Sequence, residues 1–388
     1  MLIVVVLLIA LFGFTQYLVS LHRQRELVLA ERWFARGDRA MERGYPAIAA
    51  EDYRTALSYD RENNQYRLRL AQALLAENRY PEARSHLLNL WEENPADGEV
   101  NLTLARLYAR QGQQQESVRY YRSAINGVWE GDPREQRISA RFELVHYLLA
   151  EHDTRQAVVE LVALEADPPE EEDRKLELAQ SLMQIGEYPR AQGVYESVLT
   201  HDPTNSRAWL GDGEASFAMG DYRAAERELA SAAEHNPSMA EAKHQLDLVR
   251  EILRIAPGLR GLSLEERARR VTLAFHAAFD RLSSCALRQG YSFSAPSLSA
   301  APASSNAGPA RPQGLTVAPG NLQQLHAAAL QMTRNVSKGA LRTHPKMLEG
   351  AMDFVFQVEN ATQPLCPDLS VTDRALLVLA KHQSDVIE

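Results

Sequence analysis

The sequence predicts an all-α chain of stacked two-helix hairpins, on three observations. The stretch GDYRAAERELASAAEHNP (220–237) nearly restates GEYPRAQGVYESVLTHDP (186–203), 34 residues earlier. The same spacing relates Gly44, Asn78 and Gly112, each followed five positions on by a small residue and nine positions on by a large one. Proline then recurs at Pro95, Pro203 and Pro237, where its missing N–H and its ring end a helix. One hairpin cannot bury its own apolar face, so such units must stack.

The chain opens differently. Residues 2–21, LIVVVLLIALFGFTQYLVSL, carry no charge, and 20 helical residues match a hydrocarbon core of about 30 Å. No Lys or Arg precedes this run and no Ala-x-Ala follows it, which argues for an uncleaved anchor over a signal peptide. A single-pass transmembrane anchor is therefore expected over residues 1–22, with the membrane contacted through 2–21. His22, Arg23 and Arg25 follow directly, which favours a cytoplasmic-facing chain. The periplasmic or extracytoplasmic side is the alternative.

The array is expected over residues 27–256, as six repeats plus a capping helix. Small residues fall at Ala49, Ala83, Ser117, Ala157, Ala191 and Ala225, and large ones four later at Tyr53, Leu87, Tyr121, Leu161, Tyr195 and Leu229. Leu70-Ala71, Leu104-Ala105 and Leu178-Ala179 repeat before the turns, and Trp33-x-x-x-Gly37 echoes Trp209-x-x-x-Gly213. The register slips once. From Gly112 to the matching His152 is 40 residues, and the extra six fall around NGVWEGDP (126–133), read as a longer loop with Trp129 tucked over it. The acidic run Glu170 to Asp173 reads as a solvated helix start, where carboxylates suit the macrodipole. AEAKHQLDLVREILRI (240–255) reads as the cap of the array.

A further helix is expected over 262–290. Ser263 and Glu266 form a capping-box pair, and Val271, Ala274, Phe275, Ala278, Phe279 and Leu282 make one apolar stripe. Arg267, Arg269 and Arg270 are read as its solvated face. Residues 291–320 change character: Ala, Ser, Pro and Gly supply 21 of 30 positions and no acidic residue occurs, the composition of a disordered linker. Helical pattern resumes over 321–388. Its last piece is apolar on most of its circumference, from Ala375 to Ala380, and must be buried.

The repeating positions resemble the tetratricopeptide repeat: Trp, then Leu-Gly, an aromatic, Ala, an aromatic, Ala and Pro over 34 residues. The resemblance covers residues 30 to about 239. It implies a right-handed α-solenoid whose first helices line a protein-binding groove. Carried over by alignment, the groove residues are Phe34, Leu68, Leu102, Phe142, Leu176 and Leu210 at one recurring position, and Asp38, Gln72, Arg106, His146, Gln180 and Glu214 four residues on. The first set is apolar, as is a further set at Met41, Leu75, Ala109, Leu149, Met183 and Phe217. The apolar stripe points to an apolar or amphipathic helix as ligand; the alternative is that these side chains pack between hairpins. The Lys and Asn with which chaperone-binding members clamp a C-terminal carboxylate are missing at these positions. A third possibility is that the chain's own C-terminal helices, reached through the linker, dock in the groove. The layout also resembles bacterial single-pass repeat proteins of the lipopolysaccharide assembly protein B type. That type ends in paired Cys-x-x-Cys motifs, which this chain lacks, so its role does not carry over.

A net charge of −9 argues against nucleic acid as a partner. Two cysteines, Cys285 and Cys366, exclude a disulfide scaffold and a four-cysteine zinc site, and leave one bridge or two buried thiols open. No phosphate-cradling, zinc-hydrolase or nucleophile-elbow motif occurs, and the eleven histidines are scattered. The reading is a membrane-anchored, non-enzymatic scaffold with no cofactor and no metal. The alternative is a subunit of a membrane-associated enzyme or envelope-assembly complex with its active part in 263–388, where Asp353, Glu359, Asp368 and His382 show no recognised spacing.

Overall fold

A computed structural model describes residues 2–291, 322–333, 336–343 and 346–385, with the side chains of 2–10, 338, 343 and 383–385 excepted. The expected linker, 291–320, lies outside the described residues but for Tyr291. The chain divides into two compact units, Met1–Arg174 and Lys175–Glu388.

Unit 1 holds α1 (Leu2–Glu42), α2 (Pro46–Tyr59), α3 (Asn64–Ala76), α4 (Tyr80–Glu93), α5 (Gly98–Arg110), α6 (Gln114–Ile125), α7 (Pro133–Ala150) and α8 (Thr154–Ala166), each packed on the next from α1 to α8. The turn inside each hairpin has one design. Gly44, Asn78, Gly112 and His152 take positive φ, where glycine is cheapest and asparagine next. The residue after each sends its N–H back five residues, as from Tyr45 to the Ala40 carbonyl at 2.8 Å and from Asp153 to that of Leu148 at 2.8 Å. Helix starts are fixed by side-chain caps: Asn63, Asp97, Asp132 and Asp153 each accept from a first-turn N–H. The small residues Ala49, Ala83, Ser117 and Ala157 are fully buried, and the large Tyr53, Leu87, Tyr121 and Leu161 are buried against them.

The separate anchor expected over 1–22 needs correction in form. No break follows Leu21 or Arg25: α1 runs on to Glu42, and its later half is the first helix of the array. Nothing in this stretch punctuates a helix, since Gly13 and Gly37 are isolated glycines and no proline occurs before Pro46. Among the described residues no helix is long and apolar enough to cross a membrane. Residues 2–10, part of the expected span, have no described side chains. Leu11, Phe12, Phe14, Tyr17, Leu18 and Val19 are described and exposed.

The extra six residues partly lengthen α7 and partly the segment 126–132 between α6 and α7, which forms a latched loop. Val128 makes a parallel bridge with Asp97, with Gly98 N–H donating to the Val128 carbonyl and Val128 N–H to that of Ala96, each at 2.8 Å. The Trp129 indole N–H donates to the Ala124 carbonyl at 2.9 Å. Its ring lies against Gly98, where an added Cβ would meet it at 2.3 Å.

Most of α9 (Glu172–Gln184) belongs to unit 2, with α10 (Tyr188–His201), α11 (Ser206–Ala218), α12 (Tyr222–His235), α13 (Ala240–Ile255), α14 (Leu264–Arg288), α15 (Leu322–Thr333), α16 (Lys338–Thr343), α17 (Lys346–Thr362) and α18 (Val371–Asp385). Gly186 and Gly220 repeat the positive-φ turn. Beyond the repeats, one core joins Tyr222 and Leu229 of α12 to α13, α14, α15, α17 and α18. Of the α14 stripe, Val271, Ala274, Phe275, Ala278 and Leu282 are fully buried in it, and Phe279 is half-buried against it. On α18, Ala375, Leu376 and Leu377 are buried and Val378 to Ala380 half-buried. Of the three arginines expected to be solvated, Arg270 is not. It donates to the Leu253 and Ala256 carbonyls at 2.5 and 3.0 Å and so covers the C-terminus of α13.

Candidate protein-binding surface

The first helices of the hairpins place the aligned residues in two kinds of environment. Leu68, Leu102, Phe142 and Leu176 are at most 8% exposed, and Phe34 and Leu210 are half-buried. Phe34 stacks on Tyr66 at 4.6 Å between ring centres. Four of the six apolar side chains are therefore closed in by neighbouring helices and offer little surface to a ligand. The recurring position four residues on remains open: His146 and Gln180 are exposed, and Asp38, Gln72, Arg106 and Glu214 are half-buried.

In unit 1 these polar groups are held by bonds that cross from one hairpin to the next. Gln72 on α3 donates to the Glu99 carboxylate at 3.0 Å and to the Thr103 hydroxyl at 3.3 Å, both on α5. Arg69 donates to the Gln72 side-chain oxygen at 2.9 Å. Arg106 on α5 makes a two-point contact with Glu143 on α7, at 2.9 and 2.5 Å. The Glu143 carboxylate raises the Arg106 guanidinium pKa, through that bond first, and adds to the burial that pushes the Tyr121 hydroxyl up to about 12. Within the first hairpin the Tyr53 hydroxyl donates to Asp38 at 2.6 Å. Burial and that carboxylate together hold the phenol protonated. The outcome is a row of polar groups pre-positioned on α3, α5 and α7. It has the chemistry to bind a polypeptide backbone or polar side chains without first ordering its own residues.

In unit 2, Glu214 accepts from Gln245 of α13 at 2.5 Å, and burial raises its carboxyl pKa. Leu210 and Phe217 pack against the core that contains the C-terminal helices. α18 lies on α13, the Thr372 hydroxyl bonds the Glu251 carboxylate, and the His382 ring meets the edge of Tyr222 at 6.0 Å.

Several residues carry structure here that sequence reasoning missed. Arg281 on α14 is buried among Glu359, Thr362 and Asp373, and no periodicity distinguishes it from a surface arginine. Cys285 and Cys366 are bonded, a pairing the sequence left open. Asn101, which fits a glycosylation sequon, is buried and donates to the Pro95 and Asp97 carbonyls at 2.9 and 2.7 Å. Among the described residues no group of three or more His, Cys, Asp or Glu could hold a metal ion.

Two tetratricopeptide-repeat family models match the chain, one over residues 74–124 and 186–246 and one over 34–98. Over 186 residues the chain is 27% identical to a protein of Escherichia coli O157:H7 named for a cellulose synthase operon, its protein C. That match covers 47% of this chain and 16% of the relative, so the chain spans about a sixth of the relative's length. Among solved structures, it is similar to the C-terminal part of a repeat protein of Cytophaga hutchinsonii, at 13% identity, 61% of this chain, 92% of that one and a TM-score of 0.46. It is also similar to PilF of Pseudomonas aeruginosa, at 16% identity, 58% of this chain, 98% of that one and a TM-score of 0.40.

Proposed function

We propose, from the tetratricopeptide repeats that residues 34–124 and 186–246 carry, that this protein is a scaffold that binds a protein partner along the polar row of α3, α5 and α7. The inter-hairpin bonding of Gln72, Glu99, Arg106 and Glu143 supports this reading, because it fixes a polar surface in advance of binding. The partner segment is extended and polar, not the apolar helix that the sequence stripe alone suggests, since Leu68, Leu102 and Phe142 are buried. Photo-cross-linking from positions 72 and 146 tests it. A partner captured there, and lost when Arg106→Glu reverses one charge of the row, is the expected result. Capture that survives both Arg106→Glu and Gln72→Ala removes this row from the binding surface.

Attachment to a membrane through residues 2–21 belongs to the same proposal. Its support is the uncharged run and the exposure of Leu11 to Val19, side chains that water does not favour. The full chain stays with the membrane pellet in a carbonate wash, and release of the intact chain overturns the attachment. The bond between Cys285 and Cys366 supports the extracytoplasmic side over the cytoplasmic one, since a reducing compartment opposes it. The likeness to a protein named for a cellulose synthase operon fits an envelope-associated role.

A further inference from the structure

The six residues by which the third and fourth repeats depart from the period do more than lengthen a loop. Helix α7 has 18 residues, against 13 in each of α3, α5, α9 and α11. Ile138 occupies the place where Gly98 starts α5, so Pro133 to Arg137 are an added turn. That turn supplies Arg134 and Arg137, and Arg141 follows at the spacing that puts all three on one helix face. They line a cavity of about 480 Å³ together with Ile125, Ile138 and Asp167.

Three guanidinium groups line this cavity with one carboxylate, Asp167, while Glu170 pairs with Arg134 and Glu160 with Arg141. Arg134 is engaged, with bonds to Asp167 at 2.9 and 3.2 Å, to Glu170 at 3.0 Å and to the Pro168 carbonyl at 2.7 Å. Arg137 donates once, to the Gly127 carbonyl at 3.3 Å, and among the described residues has no carboxylate partner. Arg141 Nε is buried and faces the Glu160 carboxylate at 3.4 Å, an ion contact without the alignment of a hydrogen bond. A guanidinium carries five donors in a planar fork that fits the two oxygens of an oxyanion. Arg137, exposed and bonded once, keeps donors free beside Arg141 and two isoleucines, a combination of fork and apolar surface suited to an organic oxyanion.

We propose that this cavity binds a small organic anion whose carboxylate or phosphoryl oxygens are held by Arg137 and Arg141, with its apolar part against Ile125 and Ile138. The site is independent of the polar row on α3, α5 and α7.

Isothermal titration of the full detergent-solubilised chain at low salt tests this, with succinate, inorganic phosphate and neutral succinamide as probes. Saturable binding of succinate or phosphate and none of succinamide is expected. Binding of succinate alone assigns a carboxylate ligand, and of phosphate alone a phosphoryl one. Arg137→Gln lowers the affinity tenfold or more, because its single bond to a carbonyl makes it dispensable to the fold. Arg137→Lys, which keeps the charge and loses the fork, restores part of it. Both variants are read only with a circular-dichroism melt matching the parent; should Arg137→Gln fail that check, Arg137→Lys and Arg141→Lys carry the test. No saturable binding of either anion, or unchanged affinity in the arginine variants, overturns the proposal.

Discussion

Arg281→Met destabilises unit 2 by about 3–5 kcal/mol, the cost of leaving the buried Asp373 carboxylate without its cation. Arg281 is 6% exposed and joins three elements. It donates to Thr362 at the end of α17 at 2.7 Å, to the Cys366 carbonyl at 2.9 Å, and to Asp373 in the first turn of α18 at 3.0 Å. Asp373 also accepts from Ser370 N–H at 2.9 Å while its own N–H donates to the Ser370 hydroxyl at 3.2 Å, a reciprocal cap on α18. Glu359, fully buried, lies 3.1 Å from the same guanidinium. One cation thus serves two acids. Burial, and then Asp373, push the Glu359 carboxyl up to about 8, with Arg281 pulling the other way. Glu359 is therefore protonated in the folded chain at neutral pH. In the unfolded chain it ionises near its ordinary value of 4.5. Between those values the folded state holds the extra proton, so stability from this group falls as pH rises from about 4.5 to about 8. Glu359→Gln is expected to be near neutral at pH 7 and to flatten that slope. Chemical denaturation of both variants across this range checks the pair: an Arg281→Met protein as stable as the parent, or a Glu359→Gln protein that keeps the full slope, contradicts this account of the cluster.

Cys285→Ser combined with Cys366→Ser lowers the stability of unit 2 by about 4 kcal/mol, from the chain entropy that a bond across 81 residues removes from the unfolded state. Both sulfurs are buried, at 0 and 3% exposure, between α14 and the segment that follows α17. The bond closes a loop that contains the whole 291–320 stretch. Folding of α15 to α18 onto α14 is in consequence far less costly with the bond than without it. Two measurements check this. The denatured chain takes up no maleimide before reduction and two per chain after it, and the serine variant melts well below the oxidised parent. Equal melting curves, or free thiols in freshly isolated protein, refute the stabilising role and with it the support for an oxidising compartment.

The 34-residue period determined by itself the hairpin architecture, the glycine turns and the buried small and large positions. It could do so because each depends on contacts within a hairpin or with the next one, and those recur at fixed spacing. The same locality explains the legibility of the α14 stripe and of the apolar circumference of α18. The aligned residues fall on the first helices of the hairpins, but only packing decided which of them are open. Leu68 and Phe142 are closed in by side chains of other repeats, and an alignment carries no record of that crowding. Nor does the sequence announce that the uncharged run and the first helix of the array form one helix, because helix continuation leaves no punctuation. The Arg281 cluster, the Cys285–Cys366 bond and the arginine-lined cavity beside the insertion were decided by tertiary structure alone. Each joins residues brought together across turns, or across 80 and more positions, and a charge or thiol reveals its partner only once the chain has folded around it.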